Sequence, residues 1–157
     1  SHLVAYHFFF FRIFYNIKII LYFHTNYLSI MSEYLFTYGT LRLNESHPMA
    51  VYLTENAELV GLAVLPKAQL FRIDWYPALI QTDDEQNEVV GDVYKLKDKS
   101  AFEKLDEYEG IGVGKPPFEY RRAKVIIKTE KEILESWVYF YNVALPAEAE
   151  LIESGDF

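Results

Sequence analysis

The sequence contains no cysteine, which excludes disulfides, thiolate metal sites and thiol nucleophiles. Glycine and proline are scarce, at seven and six of 157 residues, while 51% of the chain is hydrophobic. Collagen-like and disordered classes are therefore excluded. Cations are in the minority: 15 Lys and Arg face 23 Asp and Glu, a formal charge of −8. Without a basic face to displace counterions from phosphate, no nucleic-acid partner is expected. After residue 30 a single histidine remains, His47, so ligands close in sequence cannot assemble a zinc cluster. Asp83-Asp84-Glu85 lacks the oxygen spacing of a calcium loop. No phosphate-binding glycine loop, dinucleotide fingerprint or serine elbow is present. Neither a metal nor a cofactor is expected. Aromatic side chains are plentiful, with 13 Tyr, 12 Phe and 2 Trp, and the length suits a single core.

Charge is unevenly placed. Residues 1–30 hold no acid and only Arg12 and Lys18, and 18 of the 30 are Phe, Tyr, Ile, Asn or Lys. Those five residue types share A/T-rich codons, and ordinary composition begins at Met31. The contrast predicts a non-native upstream segment over 1–30, with Ser1-His2 as a tag scar and Met31 as the natural start. A rival reading is a membrane anchor, because residues 3–23 are nearly long enough to span a bilayer. Arg12 near its centre would cost about 2.5–3.5 kcal/mol on insertion scales, and no small-residue cleavage site follows. An extra structured element is the third reading. The expectation is a cytoplasmic domain over 31–157, not attached to a membrane.

From Met31 onward the apolar period switches between two and about 3.6, the mark of a mixed domain. Strands are predicted over 34–38, 59–65, 68–73, 76–80, 89–96, 120–129 and 133–142. Residues 76–80 are only a short extended piece, since the residue before Pro77 is pushed out of the helical region. Helices are predicted from 46–48, with Pro48 in the first turn, and from Asp98 as N-cap to a stop at Gly110. Residues 111–118 read as a Gly/Pro-rich loop, and 143–157 as an acidic tail with little order. The fold class is α+β: about six strands in a small, partly open mixed β-barrel, with two short helices.

Two segments can carry chemistry. In Tyr38-Gly39-Thr40-Leu41-Arg42 a buried strand runs directly into glycine. Such a bend can aim consecutive backbone N–H groups into one concavity, or it can simply be a turn needing positive φ. In Leu105-Asp106-Glu107-Tyr108-Glu109-Gly110 three carboxylates crowd a helix C-terminus, where the macrodipole disfavours anions. An acid pointing inward there gains a raised pKa from desolvation and like charge, as a general acid/base requires. Glu109 is the candidate, four residues after Leu105 and on the same face. Asp106 and Glu107 are expected to lean toward solvent. The alternative is three solvated acids ending a helix.

These pieces, with Tyr76-Pro77-Ala78-Leu79-Ile80, Gly91-Asp92-Val93-Tyr94 and Tyr120-Arg121-Arg122 in the same order, resemble the gamma-glutamylcyclotransferase-like superfamily. The likeness is nearest its small bacterial AIG2-like and gamma-glutamylamine cyclotransferase members, and it extends from Met31 to about Asn142. The resemblance implies a barrel with a pocket at its mouth, a glutamyl head held by Tyr38, Gly39, Thr40 and Leu41, and Glu109 as the catalytic acid/base. It implies Tyr120 as a pocket wall, a small γ-glutamyl compound as the partner, and release of 5-oxoproline without metal or cofactor. One departure is the long Gly/Pro-rich stretch between Gly110 and Tyr120, which can reshape the pocket or cover it. A non-catalytic module for an amino-acid-like ligand and a biosynthetic enzyme that removes a γ-glutamyl group are the competing readings.

Overall fold

Period-two alternation builds the strands where it was expected, and closure of the sheet decides which faces they bury. A computed structural model of the chain describes Ile17, residues 32–42 and residues 46–157. The chain divides into two units, Ser1–Ser32 and Glu33–Phe157, and the description below concerns the second. The expectations for residues 1–30 lie outside the described residues, Ile17 apart. Among the described residues no helix is long and apolar enough to cross a membrane.

Eight strands and two α-helices are described in this unit. They run β1 (Tyr34–Thr37), α1 (Pro48–Asn56), β2 (Ala57–Pro66), β3 (Ala68–Ile73), β4 (Tyr76–Gln81), β5 (Glu88–Leu96), α2 (Ala101–Tyr108), β6 (Tyr120–Thr129), β7 (Ile133–Tyr141) and β8 (Glu150–Leu151). Five of them form a closed barrel in the order β1-β5-β2-β6-β7. The ring closes where β1 lies parallel to β7, with Leu35 opposite Trp137, so no barrel edge is left unpaired. The remaining strands form a second sheet, β4-β3-β8. The fold is thus α+β around a closed barrel, rather than a partly open one.

Alternation explains the two cores. In β1, Leu35 enters one buried cluster and Phe36 the other. In β7, Trp137, Tyr139 and Tyr141 join the first, whereas Leu134, Val138 and Phe140 join the second. The second cluster draws on all five barrel strands; the first ties both helices to the outside of β1, β5 and β7 through Leu53, Phe102 and Leu105.

Two local expectations need correction. Helix α2 starts at Ala101 with Ser100 in the N-cap position, whose side chain makes no capping bond. Asp98 instead accepts from the Ser100 N–H at 2.7 Å, ending the turn that leads in. Residues 143–157 are not a loose tail. Glu150 and Leu151 pair with Arg72 and Phe71 of β3, Val90 donates to the Gly155 carbonyl at 2.8 Å, and the Arg72 guanidinium lies over the Phe157 ring at 4.7 Å.

The first bend after β1 is shaped by contacts distant in sequence. Gly39 has φ +66° and begins a 3-10 turn, Gly39–Leu41. A Cβ at this position would stand 2.3 Å from Cγ of Pro77. Arg42, which ends the turn, donates through Nε to buried Asp92 at 3.2 Å and also pairs with Asp156. Gly91 lets β5 pass close to β1, since a Cβ there would stand 2.3 Å from the Thr37 carbonyl oxygen. Gly39→Ala combines a left-handed backbone with a clash against a rigid ring. It is expected to destabilise by about 3 kcal/mol, lowering Tm by on the order of 10 °C. A melting curve within 2 °C (roughly the width of experimental scatter) of the parent would contradict this account.

Candidate active site

Helix α2 is amphipathic, burying Ala101, Phe102 and Leu105. Its end is set by Gly110 at φ +74°, with Gly110 N–H donating to the Glu107 carbonyl at 3.0 Å and Ile111 N–H to the Asp106 carbonyl at 2.8 Å. That paired closure needs a left-handed residue at Gly110 and leaves Glu109 as the C-cap. Four residues after Leu105, the Glu109 side chain follows the buried face and lines a cavity of about 290 Å³.

The cavity brings together four of the six residues singled out in the sequence: Tyr38, Leu41, Glu109 and Tyr120 all line it. Gly39 lies behind the lining, packed on Pro77, which itself forms part of the wall. Nothing is described of the Thr40 side chain beyond its place in the 3-10 turn. The first amides of such a turn have no carbonyl partner within it, so the bend can offer N–H groups to an anion.

Among the described residues nothing hydrogen-bonds the Glu109 carboxylate. Its pKa is pushed up to about 8, first by removal from water, then by the charge of Glu119, then by that of Asp106. At neutral pH the group therefore exchanges a proton readily. The surrounding phenols do the opposite. Burial holds Tyr38 and Tyr120 far above the usual tyrosine range, with the Glu109 charge as the next cause. Both donate to backbone: Tyr120 to the Pro77 carbonyl at 2.9 Å and Tyr38 to the Tyr139 carbonyl. They brace the wall and keep their protons.

Several lining and supporting groups were not anticipated. Asp106 does not lean into solvent as expected; it is half-buried, accepts from Tyr139 Oη at 2.7 Å and pairs with Arg122 at 3.4 Å. Arg122 lies over the Phe102 ring at 3.9 Å, and among the described residues its buried Nη1 has no hydrogen-bond partner. Glu119 stands at the cavity mouth and accepts from Tyr76 Oη at 2.8 Å. This bond is the main reason the Tyr76 phenol is pushed up to about 12. Glu119 adjoins Tyr120 in sequence, which is the one signal that could have drawn attention to it. Glu107 is exposed, as expected. Among the described residues no group of three or more His, Asp or Glu could hold a metal ion.

Comparison with known proteins extends the picture. The crystal structure of YkqA from Bacillus subtilis superposes with a TM-score of 0.61 at 26% identity, over 80% of this chain. The chain spans only 39% of YkqA's length. Protein ytfP from Escherichia coli matches over 79% of this chain and 95% of its own, at 28% identity and a TM-score of 0.54. A structure described as a gamma-glutamyl cyclotransferase shares the fold at 21% identity, covering 76% of this chain and 69% of its own, with a TM-score of 0.55. No curated protein matches the chain. Residues 35–157, which carry both the glycine bend and Glu109, match the family described as Gamma-glutamyl cyclotransferase, AIG2-like, and the chain belongs to that family.

Proposed function

We propose that the protein is a γ-glutamyl(amine) cyclotransferase, releasing 5-oxoproline from a small γ-glutamyl compound. The observation that carries the reading is Glu109: a carboxyl group with no hydrogen-bond partner among the described residues, drawn out of water into a cavity that begins beside the Gly39 bend. A binding module gains nothing from an acid held in that condition. A proton-transfer enzyme needs one.

The reaction suits what the cavity contains. The α-nitrogen of the substrate attacks its own γ-carbonyl carbon, a new N–C bond closes the five-membered ring, and the C–N bond to the departing amine breaks. Both reacting groups belong to one molecule, so much of the entropic barrier is gone once an attack-ready conformer is held. Two proton movements remain. The α-ammonium must lose one and the departing nitrogen must gain one, and a single carboxyl with affinity near neutrality can do both in turn. Backbone N–H groups of the Gly39–Leu41 turn orient the α-carboxylate, while Tyr38, Leu41 and Tyr120 shape the wall. No enzyme nucleophile takes part. A cytoplasmic setting, with no nucleic-acid partner, belongs to the same proposal.

The test is a substrate panel of γ-glutamyl dipeptides, γ-glutamylamines and ε-(γ-glutamyl)lysine, with 5-oxoproline measured as product. Turnover of at least one class is expected. No release from any of them, with ligand binding retained, would assign the cavity to a non-catalytic module instead.

A further inference from the structure

We propose that Arg122 is a positioning residue: acting through Asp106, it fixes the Tyr139 phenol with its oxygen, rather than its proton, toward the bound substrate, where that oxygen accepts a hydrogen bond from the α-nitrogen. The inference rests on the cyclotransferase reading and adds a residue that does not line the cavity.

Three elements meet in this arrangement. Tyr139 of β7 lines the cavity and donates its one O–H to Oδ1 of Asp106, on α2, at 2.7 Å. A phenol so committed offers only lone pairs to anything else within reach. Burial first, and then the bond to Asp106, hold its pKa well above the usual tyrosine range, so the proton stays. Asp106 is fixed in turn by Arg122 of β6, whose Nη2 stands 3.4 Å from the other carboxylate oxygen, Oδ2. The guanidinium has little freedom, lying over the Phe102 ring at 3.9 Å and the Trp137 ring at 4.9 Å.

Stability alone does not account for Arg122. Its Nη1 is buried without a hydrogen-bond partner among the described residues, a cost that an apolar side chain packed on Phe102 would avoid. The reaction has a use for the charge. An α-nitrogen poised to attack must direct its lone pair at the γ-carbonyl carbon and its N–H groups at acceptors, and Glu109 is only one acceptor. The Tyr139 oxygen supplies a second, in a phenol on which the Glu109 charge already acts. Without Arg122, Asp106 loses its anchor, and the phenol proton is free to turn into the cavity, where it opposes an ammonium.

Kinetics on the full chain, with the best member of the substrate panel, tests the relay. Tyr139→Phe removes the acceptor and is expected to lower kcat for 5-oxoproline release by about 30-fold, with KM within about threefold of wild type. Arg122→Met keeps an apolar stem over Phe102 and Trp137 but no charge, and should lower kcat by about tenfold. Because Arg122 acts through the phenol, adding Arg122→Met to Tyr139→Phe should cost less than about a further twofold, whereas a residue that merely fastens the helix costs the same in both backgrounds. Losses that multiply in full, or an Arg122→Met kcat within about twofold of wild type, overturn the proposal. Should Arg122→Met not fold, Arg122→Gln takes its place in both backgrounds and is judged by the same limits. If wild type releases no 5-oxoproline from any substrate, the cyclotransferase reading fails, and the relay is judged by calorimetric titration with N5-methylglutamine and with 5-(methylamino)-5-oxopentanoate, which lacks the α-ammonium. A wild-type preference of about tenfold for the first, reduced at least about threefold by Tyr139→Phe and by Arg122→Met alike, upholds it. A preference that either variant leaves unchanged, or no binding, overturns it.

Discussion

If the cyclotransferase proposal holds, Glu109→Gln is expected to lower kcat for 5-oxoproline release by about 10³-fold, within the usual range for loss of a general acid/base, and to change KM little. Glutamine keeps the shape and polarity of the side chain but carries no transferable proton. The Gly39 bend, Tyr38 and Tyr120 are untouched, so substrate still enters and folds toward attack. Steady-state kinetics on the best member of the substrate panel would check this. Retention of kcat within about tenfold would remove Glu109 from the mechanism and leave proximity and the backbone donors to carry the reaction. The wild-type rate should also climb with pH toward about 8, where Glu109 loses its proton, and the variant's small residual rate should lack that limb.

The same substitution is expected to change stability, in a direction that pH decides. Folded Glu109 holds its proton up to about pH 8, whereas an unfolded glutamate releases it near 4.5. Between those values the folded chain binds more protons than the unfolded chain, so this group's contribution to stability falls as pH rises. The contribution is whole below about 4.5 and lost as pH passes about 8. Its size across that window is about 5 kcal/mol, from 1.36 kcal/mol per pH unit of displacement. Glu109→Gln has no proton to lose. Its denaturation free energy minus that of the parent should rise steadily from pH 4.5 to 8 and level off above. Other carboxylates contribute equally to both proteins and cancel in the difference. Parallel profiles for parent and variant would show that the side chain is far better hydrated than its place in the cavity implies.

How much of this was legible beforehand depended on whether the controlling contact was local. β6 reads true from Tyr120 to Thr129 because Ala123, Val125 and Ile127 share one face while Arg122, Lys124 and Lys128 share the other. Glu109 was legible because an acid at a helix C-terminus is out of place, and that conflict is visible within one turn of chain. Asp106, three residues earlier, was misjudged because its partners Tyr139 and Arg122 come from β7 and β6. Glu119 was missed for the same reason: its orienting phenol lies 43 residues away, on β4. β8 gave no pattern at all, since its two residues are exposed and owe their strand geometry to β3. Barrel closure was also out of reach, because it depends on the parallel contact between Leu35 and Trp137, over a hundred residues apart.

That Arg42 ends the glycine bend by gripping Asp156, 114 residues downstream, has a consequence for biosynthesis. A nascent chain emerging from the ribosome completes every barrel strand once Tyr141 is out, yet the second clasp on the glycine bend stays open until Asp156 has emerged as well. A product stalled between Tyr141 and Asp156 would therefore carry a finished barrel whose glycine bend is fastened by Asp92 alone.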